Sequence, residues 1–302
     1  MDISIRNYNF LDSFECLWSE DADEFGKNKL NLFILKINAN EFNYKLLERN
    51  LLEPLLDFSF SRKAKEEYKN NYMTLSKEAR EKFVEHIRNT GELGELLLYC
   101  FLETHLNAPK ILSKLELKTS TSHYVNGSDG IHFLKLNNGD FQIIFGESKT
   151  VENLSTALSQ AFKSIYNFKN EVNEKGIEKS GIGYERTLIS NNLGKETFSE
   201  EEKAFITNII YPKRENDFEV DDAFGILVGF EVEIRKEDKK LPNNLFRDKI
   251  KQNIDNEVRK RIPHIKKKID EYELWGHNFY IYVLPFTELD DNRKSILKEI
   301  TK

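Results

Sequence analysis

Glu147 and Lys149 stand two residues apart where the apolar run Phe141 to Phe145 gives way to polar residues. If that run is a strand, its period of two turns both side chains to one face at the strand's end. An acid and an amine so placed can bind a divalent cation and hold a water or a phosphate oxygen next to it. The same spacing also arises as a plain ion pair, and Glu-x-Lys is unremarkable in a chain with 32% charged residues. A third group decides the matter. Asn137-Asn138-Gly139 suits a three-residue hairpin closed by a glycine in the left-handed region. In that register Leu136 faces Asp140, and Asp129 falls opposite Glu147 on the same face. A two-residue turn at Asn138-Gly139 would instead pair Asp129 with Ser148 and send Asp129 to the other face.

Two opposed carboxylates repel unless one of them keeps a proton. A bound Mg²⁺ removes the conflict, because a hard cation takes one or two carboxylates, keeps several waters and accepts phosphate oxygens. Mn²⁺ is expected to substitute. The backbone carbonyl of Ser148 is a natural further ligand. Such a metal acidifies its bound water and neutralises charge developing on phosphorus, while Lys149 stabilises the transition state or positions the attacking water.

The elements that must position these groups follow from hydrophobic spacing. Residues 30 to 37 read as a strand and 44 to 56 as a helix, and Ser76 offers an N-cap for a helix running toward Ile87. Gly91 to His105 is a helix apolar on nearly every side, so it is expected to be buried. Strands are expected over 111–118, 131–136 and 141–145, a helix over 151–172, and a strand over 224–234. A helix carrying Ile250 to Ile269, kinked by Pro263, a strand over 279–284 and a helix over 288–300 complete the chain. The sum is an α/β protein with a mixed sheet covered by helices on both faces.

Composition narrows the classes. The 302 residues hold 45 Lys plus Arg against 51 Asp plus Glu, a net charge of −6, which argues against a protein that coats nucleic acid through bulk charge. It leaves room for an enzyme with one basic groove. Two cysteines suit a reducing cytoplasm rather than a disulfide framework. The longest apolar run, Leu96 to Leu102, is too short to span a bilayer.

Gly91-Glu92-Leu93-Gly94-Glu95 on a helix, Asp129 before a strand and Glu147-Ser148-Lys149 ending the next resemble the PD-(D/E)XK nuclease superfamily. That resemblance implies a restriction-endonuclease-like core, with Glu95, Asp129 and Glu147 as metal ligands and Lys149 assisting the attacking water. Glu92, one helical turn from Glu95, competes for the helix position. The proline that often precedes the aspartate is replaced by Ser128. More narrowly, Gly-Glu-Leu-Gly-Glu-Leu-Leu-Leu-Tyr, Gly-Ser-Asp-Gly-Ile-His-Phe and Phe-Gly-Glu-Ser-Lys are similar to the HamA proteins, nuclease subunits of the Hachiman anti-phage defence system. This similarity implies a Mg²⁺-dependent nuclease acting on DNA in the cytoplasm, controlled by the helicase HamB. Its nuclease-like domain is expected over 86–302, with an N-terminal α/β extension over 1–85 as a candidate partner-binding region. The alternative is a nuclease-fold module that binds and regulates a helicase on DNA without cutting it.

Further candidates lie outside the motifs. On the helix after the site, Gln160 and Lys163 occupy the polar face as candidate substrate contacts, and Tyr166 is expected in the core. The basic run from Arg259, Lys260 and Arg261 to Lys268 can hold a phosphate backbone or form a solvated helix face. The histidines, His123 and His132 among them, lack metal-ligand spacing.

Overall fold

A computed structural model describes residues 8–23, 26–86, 91–117, 127–170 and 181–302. After a 3-10 turn the chain runs through β1 (Phe14–Asp21), β2 (Lys29–Leu35), β3 (Ile37–Asn38) and β4 (Glu41–Phe42). Four helices follow: α1 (Tyr44–Ser59), α2 (Arg62–Glu67), α3 (Tyr72–His86) and α4 (Glu92–Thr104). The central part comprises β5 (Lys110–Leu112), α5 (Lys114–Leu117), β6 (Ile131–Lys135), β7 (Phe141–Thr150) and α6 (Leu154–Lys169). Next come α7 (Gly181–Glu196), α8 (Glu200–Ile210), β8 (Val220–Glu231), α9 (Asn243–Arg259), α10 (Ile262–Glu271), β9 (Asn278–Phe286) and α11 (Leu289–Ile300).

One seven-stranded mixed sheet, ordered β1-β2-β9-β8-β7-β6-β5, organises the fold. Its middle is parallel, β2 with β9, β9 with β8 and β8 with β7. The outer pairs β1–β2, β5–β6 and β6–β7 are antiparallel. β8 is buried from Ala223 to Phe230, as suits a central parallel strand covered on both faces. Helix α4 lies on one face, where Leu98 packs over Gly146 and Leu102 over Gly225. Helix α6 covers the other through Phe162 and Phe168, whose rings meet Phe279 and Phe145 at centroid distances of 5.3 and 5.4 Å. Asn153 caps α6, its side chain accepting from Thr156 N–H at 3.1 Å. No helix among the described residues is long and apolar enough to cross a membrane.

The α/β architecture with helices on both faces agrees with the expectation, and the differences have local causes. The strand expected over 111–118 stops at Leu112, because Ser113 N–H donates to Glu196 on α7 at 2.8 Å and Lys114 turns inward. Helix α3 starts at Tyr72, so Ser76 sits inside it rather than capping it. The expected kink at Pro263 is instead a break. α9 ends at Arg259 and Pro263 lies in the first turn of α10, where its missing N–H leaves no intrahelical bond unmade. Several elements were unexpected. β1 extends the sheet beyond β2, β3 and β4 form a short separate pair, α2 and α5 are short helices, and α7 and α8 are inserted between α6 and β8.

Candidate active site

The β6–β7 hairpin closes through three residues. Leu136 N–H donates to the Asp140 carbonyl at 2.8 Å and Gly139 N–H to the Leu136 carbonyl at 3.0 Å. Gly139 has φ +97°, which a side chain would strain. The ladder then pairs Lys135 with Phe141 through to Ile131 with Phe145, the register expected of a three-residue turn. At its open end the ladder bulges. Asp129 N–H donates to the Gly146 carbonyl and Gly146 N–H to the Gly130 carbonyl, each at 2.8 Å, so two residues oppose one. Asp129 therefore sits a step away from the directly opposed position, and its carboxylate turns to Ser148. It accepts from the Ser148 N–H at 2.6 Å and from the Ser148 hydroxyl at 2.8 Å. Gly146 permits this crowding, since a Cβ there would stand 3.2 Å from Gly130 N and 3.1 Å from Leu98 Cδ2.

Glu147 points to the α6 side of the sheet end. Its carboxylate pairs with the Lys149 ammonium and takes a hydrogen bond from the Ser164 hydroxyl of α6. Burial, followed by the Asp129 charge, pushes its pKa up to about 7 against the pull of Lys149 and Ser164. Lys149 is 30% exposed. Burial works against its charge, but Glu147, Asp129 and Glu95 outweigh that and hold it above the ordinary lysine range.

Glu95 comes from the other face. It stands in the first turn of α4, where the positive end of the helix favours an acid. Gly94 beside it packs against β7, a Cβ there lying 3.1 Å from both the Ser148 and Thr150 hydroxyls. Glu95 and Asp129 share the lining of a cavity of about 20 Å³ with Lys114 and His132. Of the two helix acids, Glu95 acts on Lys149 and lines this cavity, while Glu92 is 7% exposed.

Among the described residues, no group of three or more His, Cys, Asp or Glu side chains is gathered closely enough to hold a metal. The site is a carboxylate pair, Asp129 and Glu147, with a lysine beside it and Glu95 on the α4 side. That donor set fits Mg²⁺. Burial and, after it, the Asp129 charge raise Glu147, and a hard cation offsets both, needing only one or two carboxylates with waters.

The remaining candidates are dispersed. Gln160 and Lys163 are exposed on α6, with Gln160 one turn before Ser164. Tyr166 is 40% exposed and packs on Tyr272, with centroids 5.1 Å apart, so it is a surface residue rather than core. Arg259 is held by Glu20 and Asp255 at 2.8 Å each and lies 4.8 Å over the Trp18 ring, which ties it toward β1 at the sheet's far edge. Arg261 pairs with Glu257 at 2.8 Å, and Lys260 is exposed. His132 is a core residue, 1% exposed, with Nδ1 2.8 Å from the Ala108 carbonyl. His123 lies outside the described residues.

Sequence reasoning missed Ser164, Lys114 and Glu185. Ser164 follows Ala157 and Ala161 at helical spacing, so a polar residue on an inward stripe was its signal. Lys114 was concealed in a stretch that alternates like a strand, and Glu185 had no local signal.

No curated protein gives a significant match to this chain. The HamA family model matches residues 12–300 of the 302, spanning both the sheet and the acid–lysine cluster at its end. The chain thus belongs to the HamA family, which sets it among the proteins of Hachiman anti-phage defence.

Proposed function

We propose that this HamA-family chain is a Mg²⁺-dependent deoxyribonuclease that hydrolyses phosphodiester bonds. The observation that carries the reading is the Asp129–Glu147 pair, two neighbouring carboxylates with Glu147 pushed up to about 7 and Lys149 held against it. Asp129, Glu147 and the Ser148 carbonyl, with Glu95 on the α4 side, would hold Mg²⁺ or Mn²⁺, which when bound supplies an acidified water and neutralises charge at phosphorus. Lys149, 30% exposed and paired with Glu147, presents its ammonium at the same sheet end, where it would meet a phosphate oxygen. Ser164 orients Glu147 from α6, and the Ser148 N–H and hydroxyl orient Asp129. Gln160 and Lys163, exposed on the helix that also carries Ser164, are the proposed substrate contacts. Through the family, HamB is the proposed helicase partner that restrains the chain until infection.

The test is plasmid cleavage by the purified chain with Mg²⁺. Glu147→Ala and Lys149→Ala are each expected to abolish cleavage while circular dichroism and partner binding stay near those of the parent. Full cleavage by Lys149→Ala would sink the assignment. A second reading, a module that regulates a helicase on DNA without cutting it, is favoured by the lack of a three-acid cluster among the described residues. A chain that stays inert with every divalent metal and with activated partner would establish that second reading.

A further inference from the structure

Directly behind Asp129, a buried ion pair grips the backbone of the preceding residue. Lys114 of α5 and Glu185 of α7 are in contact, with side-chain exposures of 7% and 0%. The Lys114 ammonium donates to the Ser128 carbonyl and, at 3.2 Å, to the Ser128 hydroxyl. Glu185 Oε1 accepts the Ser128 N–H at 2.9 Å and the Ser128 hydroxyl at 3.3 Å. Both polar groups of one peptide segment are therefore taken by a single pair of opposite charges. Gly127 completes the fit, because a Cβ there would stand 2.9 Å from both Glu185 Oε1 and Lys114 Nζ.

Burying two charges carries a large desolvation cost, and well-packed apolar residues at such positions often leave stability equal or higher. Stability alone is then a poor reason for this pair. Its distinctive action is on geometry. The Asp129 N–H, which shares its peptide unit with the Ser128 carbonyl, is already fastened to Gly146. Fastening Ser128 at both N–H and carbonyl therefore fixes the two peptide units that lead into the Asp129 Cα, while the Gly130 carbonyl, held by the Gly146 N–H, fixes the chain beyond it. The carboxylate direction, toward the Ser148 N–H, follows from that fixation. A proline at position 128 would have no N–H for Glu185.

We propose that Lys114 and Glu185 are positioning residues for Asp129, a clamp through which helix α7 sets the orientation of the carboxylate at the sheet end. The proposal rests on the reading of Asp129 as a metal ligand only for its catalytic consequence. The clamp itself is read out by hydrogen exchange at the Ser148 amide, whose acceptor is Asp129.

The experiment compares the full chain with Lys114→Met/Glu185→Leu, in which both charges are replaced by apolar side chains. A second variant, Gly127→Ala, displaces the pair without removing it. Three quantities are measured, namely Ser148 amide exchange by NMR, Mn²⁺ affinity by electron paramagnetic resonance, and kcat and KM on plasmid. Expected are Ser148 exchange at least about 10-fold faster, Mn²⁺ binding weaker by roughly 10–100-fold, and kcat lowered with KM for DNA little changed. Circular dichroism is expected to match the parent in at least one variant, with Gly127→Ala retaining the ordinary melting cooperativity. Unchanged Ser148 exchange in a folded variant overturns the clamp. A parent chain that binds no Mn²⁺ and cuts no DNA overturns the nuclease reading instead, and Ser148 exchange still decides the clamp.

Discussion

The molecule holds two Glu–Lys pairs within a short distance of Asp129, and they are built to opposite ends. Glu185 and Lys114 are enclosed, 0% and 7% exposed, and Ser128 bonds to both of them through its N–H and carbonyl, although Glu185 Oε2 is left without a hydrogen-bond partner among the described residues. Glu147 and Lys149 are 13% and 30% exposed, and a second carboxylate, Asp129, stands beside them. In the enclosed pair the charges answer one another and the backbone. At the sheet end a second carboxylate remains, and burial together with the Asp129 charge pushes the Glu147 pKa up to about 7. Residue type therefore does not separate a scaffold pair from a reactive one. Unbalanced charge at an accessible edge does.

The largest expected effect breaks the enclosed pair from one side. Glu185→Gln should cost about 3–5 kcal/mol in urea unfolding, since it leaves the Lys114 charge buried without a counter-charge. A loss below about 1 kcal/mol would make the two pairs energetically alike and remove the contrast.

Acid then probes the same enclosure through His132, which lines the small cavity with Lys114. Burial, the largest influence, pushes His132 down to about 4, whereas an unfolded histidine titrates near ~6.5. The folded form thus stays neutral while the unfolded chain takes the proton. Stability from this group is fully present above pH ~6.5 and falls as pH drops toward 4, by about 3 kcal/mol in total. Urea unfolding at pH 7, 5.5 and 4.5 should follow that slope, and His132→Phe should flatten it. An unaltered slope in the variant assigns the acid sensitivity to other groups.

At the sheet end the sign should reverse. Glu147→Gln removes the leftover charge and is expected to raise the stability of the metal-free chain by about 1–2 kcal/mol at pH 8, even as cleavage is lost. Lower stability in that variant would mean that the Lys149 ion pair outweighs the repulsion from Asp129. The smallest effect belongs to a third kind of contact. Arg259→Ala, which removes exposed pairs with Glu20 and Asp255, should cost no more than about 1 kcal/mol and leave cleavage unchanged, because those acids already occupy the guanidinium.

How far the sequence discloses these features depends on the range of the interactions behind them. The hairpin register is legible because Asn137-Asn138-Gly139 decides it locally, and the turn and ladder follow that reading. The buried helix α4 and the parallel core strand β8 are legible from continuous apolar runs. The bulge at Asp129 and Gly130 is not, because it is made by backbone contacts with Gly146 on the neighbouring strand, beneath the Leu98 side chain of α4. Glu185 and Lys114 escape for the same reason. They are 71 residues apart and meet only when α7 packs beside β5 and α5. Helix α7 lacks a clear apolar stripe, with Glu185 and Glu196 among its buried residues. Strand β1 has mostly exposed residues after Phe14, so its membership of the sheet depends on pairing with β2.

That last pairing has a consequence for the chain's synthesis. β2 lies beside β9, with Leu32 opposite Val283, so one of the first strands to leave the ribosome waits for nearly the last. At about 5–20 residues per second, the interval is roughly 12–50 s. During that time the apolar β2, buried from Leu30 to Leu35 in the finished protein, has only β1 as a partner. Chains interrupted before Phe279 would leave both β2 and β8 with open edges, so a premature stop yields a species prone to clump.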